Sequence, residues 1–112
     1  MKSILVKTNN DVVIGDFTIE QMKERFIGEY FEAVRPMRLS RKFYMVVDEE
    51  GLLNGSEVNK VGSYLYGTDT HGSPIDGDIF LCADAGNDFG SLSHEDTQEL
   101  LKMVGNIIAS FD

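Results

Sequence analysis

From Ser93 to Phe111, the residues Leu100, Leu101, Val104, Ile107, Ile108 and Phe111 fall on one stripe of a 3.6-residue period. Ser93 can cap such a helix, and Glu95 and Asp96 suit its positive end. A helix that is apolar along one stripe has to bury it. The rest of the chain offers mostly short runs of β-type residues, so the stripe predicts a sheet beneath the helix.

Those runs are readable in order. Ile4 to Thr8 reads as a strand, Asn9-Asn10 as the turn, and Asp11 to Ile14 as its hairpin partner. Thr18 opens a short helix with Gln21 three residues on, and Ile19, Met22 and Phe26 line one face up to Gly28. Glu29 to Arg35, ended by Pro36, and Lys42 to Asp48 predict two antiparallel strands. Val58, Val61 and Leu65 suggest a brief helix stopping at Gly67. Asp78 to Ala83 reads as the central strand, because it is nearly continuous in apolar character. Two loops remain, Gly67 to Gly77 and Asp84 to Ser91.

The resulting expectation is one compact α+β domain over residues 1–112, in the order β-β-α-β-β-α-β-α. A small, mostly antiparallel sheet is covered by the amphipathic C-terminal helix. At 112 residues, about 70% or less of the unfolded surface can be buried, which favours a single layer of helices. Seven Phe and four Tyr supply large side chains to that core and argue against disorder.

Targeting signals are weak. Met1 to Lys7 has three apolar residues between its lysines, against the roughly 7–15 of a signal peptide. The longest apolar run, Ile79 to Ala83, is far below the ~20 residues of a membrane span. The single cysteine, Cys82, cannot close an internal disulfide and reads as a core residue of a protein kept in a reducing compartment. Without secretion, the sequon Asn54-Gly55-Ser56 is a chance match.

Charge is distributed unevenly. The chain carries 10 basic and 19 acidic residues for a net charge of −9. Residues 35–42 hold four basic and no acidic residues, whereas 43–112 hold two basic and 13 acidic ones. Arg35, Arg38, Arg41 and Lys42 therefore gather on one connection between strands, beside Phe43 and Tyr44. Guanidinium groups fork onto phosphate oxygens and an aromatic neighbour can stack a base, so this turn is a candidate anion site. The alternative is a turn of solvated arginines paired with the abundant carboxylates. Overall acidity disfavours long nucleic acid. It also permits a different role, imitation of DNA toward a basic protein groove.

Other chemical motifs fall short. Asp88-Phe89-Gly90 matches a kinase tripeptide, but no phosphate loop or catalytic loop accompanies it. Asp84, Asp88 and Glu95 sit at calcium-loop positions 1, 5 and 12, yet Phe89 replaces the required glycine. Cys82, His71 and His94 lack metal-motif spacing, and no serine lies on a nucleophile elbow. No metal, cofactor or catalytic residue is expected from these patterns.

Several strings occur in order: Ile27-Gly28-Glu29-Tyr30-Phe31-Glu32-Ala33-Val34, Met45-Val46-Val47-Asp48-Glu49-Glu50-Gly51, Asn59, Ile75-Asp76-Gly77-Asp78-Ile79-Phe80-Leu81 and Asp88-Phe89-Gly90-Ser91-Leu92-Ser93. Together they resemble the family catalogued as domain of unknown function 3846, over most of residues 1–111. The Arg35 to Lys42 connection is more basic than that resemblance leads one to expect. Such proteins are similar to small open reading frames of bacteriophages and mobile elements, which implies expression in a host bacterial cytoplasm.

The resemblance and the charge pattern together imply a phage-encoded, non-enzymatic anti-defence protein that sequesters a small (cyclic) nucleotide immune signal. Arg35, Arg38, Arg41 and Lys42 would meet phosphates and Tyr44 or Phe43 would stack a base. The Gly67 to Gly77 loop, with Thr70 and His71, or the Asp84 to Ser91 loop would close the pocket. A pocket shared between subunits would bury more ligand, so a homo-oligomer is expected. The alternative is an acidic inhibitor of a host protein. Neither reading requires long nucleic acid or a membrane.

Overall fold

The computed structural model describes residues 1–86 and 88–111, with His71 described by its backbone alone. Six strands form one antiparallel sheet: β1 (Lys2–Val6), β2 (Val12–Asp16), β3 (Phe31–Val34), β4 (Phe43–Asp48), β5 (Ile79–Asp84) and β6 (Phe89–Gly90). The order is β2-β1-β5-β4-β3, with β6 pairing to the end of β5. The expected α+β class, the hairpin, the β3–β4 pair and the central place of β5 are all present. In the hairpin, Asn10 adopts φ 71°, a left-handed conformation that asparagine tolerates better than most residues.

Alternation along the three inner strands builds two cores. Ile4, Val6, Phe43, Met45, Val47, Ile79 and Leu81 point to one face. There they meet α2 (Lys60–Tyr66) and α4 (His94–Ala109) through Val61, Leu65, Leu100, Val104 and Ile107. Leu5, Val46, Phe80 and Cys82 point to the other face. Each fully buried residue of this size is worth about 1.5–3 kcal/mol in transfer free energy, so the two faces together dominate the stability of the fold.

The second face corrects the expectation of a single helical layer. It is covered by α1 (Ile19–Met22) and the π-helical turn Lys23–Ile27, which bury Met22 and Ile27. Thr18 Oγ1 accepts the Gln21 N–H at 3.1 Å, while Gln21 Oε1 accepts the Thr18 N–H at 3.0 Å, completing the capping box. In a regular α-helix, positions 22 and 27 would face different ways. The wider turn, closed by Gly28 N–H donating to the Lys23 carbonyl at 3.0 Å, brings both to the sheet. Phe17 and Phe26 then pack edge-on against Phe80, with ring centroids 5.1 and 5.5 Å away. Two small faces satisfy this chain better than one large one, because the inner strands are apolar on both sides.

The Gly67 to Gly77 segment, expected as an irregular loop, contains α3 (Thr68–His71) between left-handed glycines 67 and 72. Its base is tied by Asn59, fully buried. The Asn59 amide donates to the Val6 and Gly77 carbonyls at 3.0 Å each, and its Oδ1 accepts the Gly62 N–H at 2.8 Å. No helix among the described residues is long and apolar enough to cross a membrane.

Candidate functional site

The connection between β3 and β4 is anchored inward by Pro36, which is buried, and by Leu39, which packs on the core. Its cationic side chains consequently leave in different directions. Arg35 lies 4.4 Å over the Tyr44 ring and donates to the Tyr44 hydroxyl at 3.0 Å, to the Arg41 carbonyl and to the Asp84 carboxylate. Arg38 forks onto Asp69 at 2.7 and 2.9 Å, donates to the Tyr64 carbonyl at 2.6 Å, and stacks 4.4 Å over the Tyr64 ring. Lys42 reaches Asp96 at 3.0 Å and Glu99 at 3.5 Å. Arg41 is exposed, and no carboxylate pairs with it among the described residues.

The electrostatics follow the pairing. The hydrogen bond to Arg35, helped by the Gly86 N–H, holds the Asp84 carboxyl below its ordinary value, and the same bond raises Arg35. Asp69 raises Arg38 in the same way, and Asp96 raises Lys42. Three of the four cations are thus paired with carboxylates from β5, α3 and α4, Lys42 with two of them. They do not converge on a single pocket.

The aromatic candidates separate as well. Phe43 is 1% exposed and belongs to the core under α4, so its ring has no face free for a base. Tyr44 is half-buried beside Phe89, with ring centroids 5.7 Å apart. Thr70 is exposed on α3. The His71 side chain lies outside the described residues. Among the described residues, no three His, Cys, Asp or Glu side chains are grouped as a metal ion would require. Cys82 is buried, and burial pushes its thiol up to about 12.

One of the four cations opens onto a sizeable groove. Arg38 lies at the rim of a cavity of about 520 Å³ between α2 and α4. Leu65, Met103 and Ile107 contribute its apolar surface, Tyr64, Lys102, Asn106 and Ser110 add polar groups, and Glu99, 3.5 Å from the Lys42 ammonium, adds one carboxylate. The size lies within the ~300–1,000 Å³ of small-molecule sites. Sequence reasoning missed Tyr64, Lys102 and Asn106. Their signal was present, since 99, 102, 103, 106 and 110 follow helical spacing just beside the apolar stripe.

The family model described as Domain of unknown function (DUF3846) matches residues 1–105. The chain belongs to this family. No curated protein and no solved structure matches this DUF3846 chain.

Proposed function

We propose that this DUF3846 domain is a stoichiometric binder of a small nucleotide, held in the groove between α2 and α4. The observation that carries the reading is the placement of Arg38 and Lys102 around an apolar cavity of about 520 Å³. Phosphate oxygens would meet the Arg38 fork and the Lys102 ammonium. The base would lie on Leu65, Met103 and Ile107, with the Asn106 amide able to read its polar edge. Asp69 is no obstacle, because its side chain is 64% exposed and water can replace the pairing when phosphate takes the guanidinium.

Binding without turnover fits a protein that removes a signal by mass action. The resemblance to small phage and mobile-element proteins supports a role against host defence, with a cyclic nucleotide immune signal as the ligand and the host cytoplasm as the setting. A second copy covering the open groove would enclose more of the ligand.

Isothermal titration with a panel of cyclic and linear nucleotides tests the reading. Saturable binding is expected for at least one, with Arg38→Ala and Lys102→Ala each losing about tenfold or more, a charge-assisted contact being worth about 1.5–3 kcal/mol. Arg41→Ala, away from the groove, should bind as the wild type does. The ligand should be recovered intact after long incubation and denaturation. Heat from no nucleotide, or loss at Arg41 rather than Arg38, would reject this site.

A further inference from the structure

A second surface lies along β3. Glu49 N–H donates to the Tyr30 carbonyl at 2.8 Å, and the ladder runs from Phe31 opposite Asp48 to Val34 opposite Met45. In an antiparallel pair, hydrogen-bonded and non-bonded positions alternate. Residues 30, 32 and 34 therefore direct their backbone groups to β4, and the N–H and C=O of Phe31 and Ala33 point away from the sheet. β3 is the last strand in the order, and no hydrogen bond reaches those groups from other described residues.

Next to this edge lies a groove of about 370 Å³, floored by Val34, Val47 and Ile75. Glu32, Glu49 and Asp76 stand around it, and among the described residues no cation pairs with any of them. Leu52, 76% exposed, closes one end. An edge backbone, an apolar floor and unneutralised carboxylates are thus continuous.

We propose that the free edge of β3 and this groove form a docking surface for an extended, lysine- or arginine-rich segment of a partner protein, added to the sheet as a further strand. Backbone bonds from Phe31 and Ala33 would set its register, and alternate side chains would reach the groove. Cationic heads would meet Glu32, Glu49 and Asp76 while their methylene stems cover Val34 and Ile75. Charge complementarity selects this occupant. A second copy pairing edge to edge would set Glu32 near its own equivalent, and nucleic acid would meet only like charge.

The probe is a fluorescein-labelled peptide of about ten residues, the upper range of a strand, alternating lysine and valine and read by fluorescence polarisation. A glutamate-valine peptide is the control. Saturable binding of the lysine peptide alone is expected. Ala33→Pro removes an outward N–H while leaving the β4 ladder intact, so it should weaken binding about tenfold, the loss of about one strong hydrogen bond. Glu32→Gln with Asp76→Asn should weaken it and flatten its salt dependence. On the wild-type protein, amide exchange should slow at Phe31 and Ala33 when peptide is added, which holds the test even if Ala33→Pro fails to fold. Arg38→Ala should leave peptide binding unchanged, so this surface and the nucleotide groove fail separately. Equal binding of both peptides, unprotected Phe31 and Ala33 amides, or concentration-dependent self-association through β3 would overturn the proposal.

Discussion

Residue by residue, the basic connection shows how context decides what a charge does. Arg35 is committed to Tyr44, the Arg41 carbonyl and Asp84, which makes it an internal clasp between β3, β4 and β5. The clasp has a pH signature. Because Asp84 is held below its ordinary value when folded, its ionised form favours the native state at neutral pH. That contribution fades as pH falls below about 4, the unfolded carboxylate value, and is gone once Asp84 is protonated in the folded protein. Asp84→Asn should therefore lower the urea midpoint at pH 7, with the gap from wild type closing steadily in acid. A gap that stays constant down to pH 3 would show that Asp84 acts by packing and not by its charge.

Among the elements, the sequence revealed what local chemistry decides and concealed what tertiary pairing decides. The Ser93 cap, the Thr18–Gln21 box and the stop at Gly28 were legible because each is a side chain acting within about one turn. Strand ends were less so: β1 begins at Lys2 and ends at Val6, two residues earlier than hydropathy suggests, because Lys7 N–H already closes the turn onto the Asp11 carbonyl at 2.9 Å. The π-helical turn was hidden, since what it achieves, seating Met22, Phe26 and Ile27 on the sheet face that holds Phe80, depends on residues distant in sequence. The partners Asp84, Asp69 and Asp96 were hidden for the same reason, lying 49, 31 and 54 positions from their cations. Asn59 is the element-scale junction, capping α2 while holding β1 and the chain before β5. Asn59→Ala removes a cap worth about 1 kcal/mol and orphans two buried carbonyls at about 1–3 kcal/mol each. A loss of roughly 3–7 kcal/mol in urea unfolding is expected, a large share of the ~5–15 kcal/mol typical of a domain. Asn59→Asp should keep the cap oxygen but do no better, because it turns an acceptor toward the Val6 and Gly77 carbonyls.

At the scale of the whole molecule, a net charge of −9 is confined to a body with a radius of gyration of 12.7 Å. Arg35, Arg38 and Lys42 already pair with local carboxylates, and most of the remaining acids have no cation paired with them among the described residues. Two opposing effects of salt follow. Screening weakens the exposed ion pairs, but it also relieves repulsion among the excess carboxylates, which is stronger in the compact state than in the expanded chain. Exposed pairs contribute little, so relief of repulsion should win. Raising sodium chloride from ~0.01 to ~0.3 M shortens the screening length from about 30 Å to below 10 Å. Stabilisation on the order of 1–2 kcal/mol should follow, which raises the melting temperature of a domain this size by roughly 4–8 °C or more. Calorimetry across that range checks it, and a falling melting temperature would mean that the clasps outweigh the surplus charge. The same screening should weaken a lysine-rich peptide on β3, so salt would stabilise the free protein while loosening that complex.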